Sequence, residues 1–152
     1  VMGIKNKIIN PYQFFTKGEM LAQSNNKCLI KRHLRDTVSC SKAGYYSQWH
    51  RKSDKHCGFC VPCIIRRSAV HAAKMEEYDC SYVYDVNNKN LRKDKTKGVN
   101  IGILKNAYQR LKNEEMYFEI MKSGDFLSDE DEINSFESIF KRGLSEIENY
   151  LQ

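Results

Sequence analysis

Four of the six cysteines in this chain have the spacing of metal ligands. They share one stretch of the first half of the sequence, at Cys40, Cys57, Cys60 and Cys63. Two overlapping C-x-x-C steps place three thiols within seven residues, and sixteen residues separate the fourth from them. Four thiolates suit a structural zinc ion, which takes soft ligands tetrahedrally at about 2.3 Å and needs no open position. Gly58 favours the strained turn of a zinc knuckle, and Pro62 is well placed to open a following helix.

The cysteine cluster has two other interpretations. Disulfides are disfavoured because nothing at the N-terminus looks like a secretory signal. A thioredoxin-like C-x-x-C would need a βαβ pattern, which the sequence lacks. His56, beside Cys57, is the residue that could replace one of the cysteine ligands. Because four thiols already complete the coordination sphere, His56 is expected instead to be a solvated loop residue or to lie behind the ligands.

The elements around the cysteines are predicted to be mostly helical. Thr16 to Glu19 fits a capping box, so a helix should run over residues 17–24, and a short second helix is plausible over 28–34. A third helix is expected over 62–75, with Ile65 and three alanines inward. Two long apolar stripes predict a C-terminal αα-hairpin, whose inward residues are Ile101, Leu104, Tyr108, Leu111, Phe118, Met121, Ile133, Phe136, Phe140, Leu144, Ile147 and Leu151.

The expected organisation has three parts. Residues 1–78 form the zinc-binding region, 79–99 an irregular linker with a poor strand and an exposed loop, and 100–152 the αα-hairpin. Residues 1–74 carry 14 basic against 3 acidic side chains, a net charge of +11, while residues 75–152 carry 11 against 16. No apolar run approaches the roughly 18 residues of a membrane span, so a cytoplasmic protein is expected. The opening at Val1 suggests the C-terminal part of a longer polypeptide.

Little else in the sequence indicates catalysis. The eight glycines form no phosphate-binding loop, and no carboxylate pair or nucleophile with its base can be argued. Cys28 and Cys80 lie outside the zinc set and are expected to be small core residues. A loop of basic and aromatic residues has two interpretations. It could bind single-stranded nucleic acid, or its aromatic rings could pack over the zinc while its charges face solvent. The residues of this loop are Tyr45, Tyr46, Trp49, Arg51, Lys52 and Lys55.

Several of these residues together resemble a known family. Their order is Asn10-Pro11-Tyr12, then residues 15–20 (FTKGEM), Ser39-Cys40, residues 56–63 (HCGFCVPC) and Arg66-Arg67. This order is similar to the C-terminal part of QueC, the 7-cyano-7-deazaguanine synthase family. It is closest to the QueC-like branch of anti-phage defence islands, the QatC component of the Qat system. The resemblance covers residues 8–75, and the gap between Cys40 and Cys57 is longer than in the biosynthetic enzymes.

The resemblance implies both a fold and an activity. The chain would be the C-terminal portion of an α/β PP-loop protein of the adenine nucleotide alpha hydrolase type, with structural zinc on the four cysteines. The whole protein would use ATP to adenylate a 7-deazapurine carboxylate and transfer the acyl group to an amine. The family's S-G-G-x-D-S motif is absent here, so the chain should not turn over ATP alone.

The expected partner is therefore an upstream PP-loop portion or a separate ATP-binding subunit, besides possible defence proteins. The alternative is a non-catalytic, zinc-stabilised module that docks nucleic acid or a partner defence subunit. In either case the sequence predicts a structural rather than a catalytic role for the metal.

Overall fold

The computed structural model describes residues 9–44, 56–113, 116–123 and 130–152, without the side chains of residues 112, 113, 117, 118 and 123. Predictions for residues 1–8, for the aromatic and basic loop 45–55 and for the Phe118 side chain therefore lie outside the described residues. The described part is mostly helical, as expected, and contains no β-strand. Its one β-bridge is parallel and joins His56 to Tyr82.

Seven α-helices and two 3-10 turns make up the regular structure of the described part. The helices are α1 (Lys17–Gln23), α2 (Lys27–His33), α3 (Val61–Ala72), α4 (Lys89–Lys93), α5 (Val99–Asn113), α6 (Tyr117–Ser123) and α7 (Glu130–Leu151). The 3-10 turns are Leu34–Asp36 and Glu76–Tyr78. None of the helices in these ranges is long and apolar enough to cross a membrane.

The predicted capping box opens α1. Thr16 accepts a hydrogen bond from the backbone N–H of Glu19, and Glu19 accepts one from the backbone N–H of Thr16. Arg142 of α7 donates to the same Glu19 carboxylate at 2.6 Å and to the carbonyl oxygen of Phe14 at 2.8 Å. The cap therefore also fastens the N-terminal segment to the last helix.

The C-terminal helices differ from the prediction in two respects. The expected helix from residue 100 to 122 is described as α5 and α6, with Met116 in a turn between them. Both helices contact α7, which also contacts α1 and α3. Of the predicted inward residues, Phe140 is 45% exposed and Met121 is 36% exposed, because a helix that touches neighbours on only part of its surface leaves some stripe positions uncovered.

The segment predicted as an irregular linker contributes to the core. It forms α4 where an exposed loop is expected, and Val86 and Leu91 are buried. Both belong to the same apolar cluster as the four cysteines, Ile64, Ile101, Ile147 and Leu151. Two smaller clusters lie elsewhere, one around Leu111, Met116, Ile120 and Ile133, the other around Leu34, Val70 and Met75.

Helix α3 is the central element of the described part. It contacts α1, α5 and α7, and its buried residues are Cys63, Ile64, Arg66, Ser68, Ala69 and Val70. Ala72, predicted to face inward, is exposed, while Ala69 is buried and Ile65 and Ala73 are half-buried. The prediction for Ala72 is wrong because α3 has neighbours on several sides, so no single apolar stripe defines its buried face.

Close packing of α1 requires a glycine at position 18. A Cβ atom on Gly18 would lie 2.9 Å from the Cβ of Ala72, and it would also meet the Glu146 carboxylate, which accepts hydrogen bonds from Thr16 and from the Gly18 N–H. A glutamate side chain can move aside, but Ala72 belongs to a packed helix. By contrast, a Cβ on Gly102 in α5 would meet no atom within 4 Å.

We therefore expect opposite effects from alanine at these two helical glycines. Gly18→Ala should lower the free energy of unfolding by about 1–3 kcal/mol, because the added methyl group overpacks the α1–α3 contact. Gly102→Ala should raise it by up to about 1 kcal/mol, because alanine is the better helix former. Urea unfolding of both variants measures the difference. Equal effects would contradict the close approach at Gly18.

Candidate metal centre

The four predicted ligands come together at one point. The side chains of Cys40, Cys57, Cys60 and Cys63 are buried, and their sulfur atoms all lie within 4.8 Å of one another. The Sγ atoms of Cys57 and Cys63 are 3.9 Å apart, and so are those of Cys40 and Cys60. Tetrahedral coordination with metal–sulfur bonds of about 2.3 Å places sulfurs about 3.8 Å apart. The four cysteines therefore have the burial and the spacing to hold a metal ion.

The knuckle, residues 57–60, aims the first ligands as the sequence predicts. Gly58 has a φ of +90°, in the left-handed region, and a Cβ there would overlap the carbonyl oxygen of Tyr84. Glycine is thus required twice, once for the backbone conformation and once for the close approach. Helix α3 begins directly after the knuckle, with Pro62 in its first turn, and this turn carries Cys63.

Backbone amides surround the sulfur atoms. The N–H groups of Lys42 and Cys57 each donate to the Sγ of Cys40 at 3.3 Å, and the N–H of Cys60 donates to the Sγ of Cys57 at 3.4 Å. Such N–H···S bonds stabilise negative charge on sulfur, the form in which cysteine binds metals. The local backbone is therefore arranged for thiolates.

The thiol pKa values differ within the cluster because the sulfurs share protons and charge. The hydrogen bond from the Cys63 thiol lowers the pKa of Cys57 to about 5, and the same bond raises the pKa of Cys63. Burial raises the pKa of Cys40. Two unit charges 4 Å apart repel by about 4 kcal/mol at an effective dielectric constant of 20. Four thiolates in this volume would therefore be stable only with a positive charge among them.

His56 connects the two halves of the ligand set. It is buried, its Nε2 accepts a hydrogen bond from the backbone N–H of Ser39 at 3.0 Å, and its Nδ1 lies 2.7 Å from the Sγ of Cys80. The neutral ring consequently carries its proton on Nδ1. Because both nitrogens are engaged, His56 is neither a solvated loop residue nor a substitute ligand, and it lies behind the four cysteines, which is the remaining position expected for it. Since His56 directly precedes Cys57, its hydrogen bond with Ser39 holds the residue before Cys40 close to Cys57.

Cys28 and Cys80 do not join the cluster. Cys28 is exposed on α2 rather than in the core, where the sequence predicts it. Cys80 is half-buried, and burial together with the nearby Asp79 carboxylate raises its pKa to about 11. A thiol with this pKa stays protonated at neutral pH, so the contact with His56 does not produce an activated nucleophile.

Arg66, one turn after Cys63, forms a buried network beneath the metal site. Its guanidinium donates to Asp79 at 2.6 and 3.0 Å, to the Thr37 hydroxyl at 2.6 Å and to the Leu34 carbonyl oxygen at 2.6 Å. Tyr82 donates its hydroxyl proton to the second oxygen of Asp79 at 2.5 Å. The network fixes the segment before Cys40 to the segment after α3.

Arg67 has a different environment from Arg66. It lies over the rings of Tyr82 and Tyr150, and it donates to the exposed Asp85 carboxylate at 3.2 Å and to the Tyr84 carbonyl oxygen at 3.3 Å. Adjacent arginines therefore make one buried and one largely exposed ion pair, which provides a matched comparison.

We expect Asp79→Asn to lower the free energy of unfolding by about 3–5 kcal/mol, because it leaves the buried Arg66 charge without a counter-charge. Asp85→Asn, in the exposed pair, should cost at most about 1 kcal/mol. Burial alone would raise the pKa of Asp79, but the hydrogen bonds from Arg66 and Tyr82 outweigh it and the pKa is lowered. A lowered pKa means that the contribution is present at neutral pH and is lost as the carboxylate protonates in acid.

The stability curves of wild type and Asp79→Asn should therefore converge below about pH 4, near the unfolded pKa of aspartate. Urea unfolding at several pH values measures this. Equal losses in the two single variants at neutral pH would contradict a structural role for the Arg66 network.

Comparison with known proteins assigns no family to the chain. No protein-family model, no curated protein and no solved structure is significantly similar to it. The functional argument therefore depends on the site itself: four buried cysteines, a glycine knuckle, and two buried polar residues that connect the ligand segments.

Proposed function

We propose that the four cysteines hold a structural zinc ion. The observation that carries the proposal is the buried set of four sulfurs with tetrahedral spacing. Four thiolates complete the coordination sphere, so no position stays open for water or substrate, as catalysis would require. Backbone amides and His56 support the ligands, as expected around a site whose task is to hold segments together. The metal would join residue 40 to α3.

We further propose that this chain is the zinc-bearing C-terminal part of a QueC-like, ATP-dependent 7-deazapurine synthase or ligase. The protein would act in the cytoplasm and serve in anti-phage defence, as the branch it resembles does. The order and spacing of the residues in 8–75 support this proposal. The sequence lacks the family's S-G-G-x-D-S motif, so the chain would not be catalytically complete by itself. ATP would bind to an upstream PP-loop portion or a separate subunit.

In this arrangement the described residues would hold the elements of the zinc region in place and would not take part in the reaction. Thr16 and Glu19 cap α1 and connect it to α7, and Arg66 holds the segment that leads into Cys40. Both regions belong to the sequence that carries the resemblance. The zinc region would thus present a rigid surface to the portion that activates the carboxylate.

The metal proposal is tested with one ligand variant and one matched control. Cys60→Ser should lose the metal and the folded state together, because structural zinc supplies about 10–16 kcal/mol and a domain is stable by only about 5–15 kcal/mol. Cys28→Ser changes an exposed cysteine in the same way and should keep both. Metal content by mass spectrometry and far-UV circular dichroism are the measurements. A folded Cys60→Ser protein with one bound zinc would refute the four-thiolate site.

The enzymatic proposal requires a separate test. Pyrophosphate release is measured with ATP and a 7-carboxylated 7-deazapurine, first with this chain alone and then with an S-G-G-x-D-S protein encoded beside or upstream of it. We expect release only in the second case, with the deazapurine acid present. Zinc-loaded protein that supports no release with any such protein would contradict the synthase proposal and leave the metal site intact.

A further inference from the structure

Residues 89–97, here called the lysine segment, have an unusual balance of charge. The segment comprises α4 and the turn after it, and contains five basic residues and one acid, Asp94. The basic residues are Lys89, Arg92, Lys93, Lys95 and Lys97. The local charge is thus strongly positive in the half of the chain whose net charge is negative.

The acid of this segment is already engaged. The carboxylate of Asp94 accepts hydrogen bonds from the hydroxyl and the backbone N–H of Thr96, at 2.7 and 2.8 Å. It also accepts from the backbone N–H of Lys97 at 2.9 Å and from its Nζ at 3.3 Å. Asp94 therefore shapes the turn and neutralises Lys97, but it is not shared with the other lysines.

Of the four other basic residues of the segment, Arg92 binds the core and three lysines are exposed. Arg92 donates to the carbonyl oxygens of Val86 at 2.9 Å and Leu151 at 2.8 Å, so it fastens α4 to the core. Lys89, Lys93 and Lys95 are exposed, and no acidic partner is found for them among the described residues. Three uncompensated charges thus stand on a short segment that Arg92 and the buried Leu91 hold in place.

The lysine segment is continuous with the knuckle of the metal site. Lys97 lies 5.2 Å from the ring centre of Tyr84, whose ring packs edge-on against Phe59 of the knuckle at 5.6 Å. Lys42 lies 4.8 Å from the centre of the Phe59 ring. Asn100 donates to the Phe59 carbonyl oxygen at 3.3 Å. The exposed Lys42, beside the ligand Cys40, is thus connected to Lys97 through the rings of Phe59 and Tyr84. Lys42 and the lysine segment are here together called the lysine surface.

We propose that the lysine surface binds the phosphate backbone of a nucleic acid. Phosphates need cations along a path, and lysine provides point charges that can follow it. Protein partners are usually anchored by buried apolar or aromatic side chains, but Leu91, the one apolar residue of the segment, is already buried in the core. Binding is therefore electrostatic and independent of base sequence. This inference does not depend on the synthase proposal.

The test is binding of a fluorescent 20-nucleotide oligo(dT) to the metal-loaded full chain, by anisotropy at several salt concentrations. Three to four phosphate contacts on a single strand predict an affinity loss of about 15-fold to 50-fold between 50 and 200 mM salt. The triple variant Lys89→Gln, Lys93→Gln, Lys95→Gln should bind at least about tenfold more weakly at 50 mM. Its slope of log affinity against log salt should be smaller by about 2.

A second triple variant controls for net charge. Lys27→Gln, Lys122→Gln, Lys141→Gln removes the same three charges from α2, α6 and α7, and should change the affinity less than threefold. Circular dichroism and metal content of both variants establish that the fold is retained. Equal weakening in the two variants would show that total charge alone attracts the oligonucleotide and would overturn the proposal. Binding to phosphatidylserine vesicles without binding to oligo(dT) would also overturn it.

Discussion

The repulsion among four closely spaced thiolates is the constraint on which the described structure depends. The sulfurs are shielded from water and lie within 4.8 Å of one another, so their charges cannot be balanced by solvent. A metal ion at the centre would remove this cost and would join Cys40 to the knuckle and to α3. Because the cysteines belong to the largest apolar cluster, which also contains Ile101, Ile147 and Leu151, the same constraint extends to the C-terminal helices.

Two buried polar residues reinforce the connection that the metal would make. His56 connects Ser39 to Cys80, and Arg66 connects Thr37 and Leu34 to Asp79. Both bring the segment before Cys40 together with the segment after α3. Buried polar groups are costly unless they are hydrogen-bonded. Here the bonds join the described residues before Cys40 to those after α3, and the one bridge of the described part joins His56 to Tyr82 instead. These hydrogen bonds set the orientation in which the ligands meet.

The sequence predicts the local features of this site well. Cysteine spacing, the left-handed Gly58, the start of α3 near Pro62 and the capping box at Thr16 all depend on residues close together in the chain, and all are found. The mostly helical fold is also confirmed. These features were accessible because each has a signature within a few residues.

Features that depend on distant contacts could not be predicted in the same way. The burial of His56 follows from its packing against Ser39 and Cys80, and the partner of Arg66 lies thirteen residues away at Asp79. Helix α4 forms in a polar stretch because Leu91 has a core to enter. Phe140 is exposed although its stripe is apolar. In each case the deciding neighbour comes from another element, which local periodicity does not specify.

The most direct test of the metal site is X-ray absorption at the zinc edge on the protein purified without added metal. The account predicts one zinc per chain in a shell of four sulfur atoms at about 2.3 Å, with no nitrogen or oxygen ligand. A shell containing nitrogen would mean that a histidine replaces one of the cysteines. A metal-free protein that keeps its fold would contradict the account, because the four thiols would then be stable without the ion that their spacing requires.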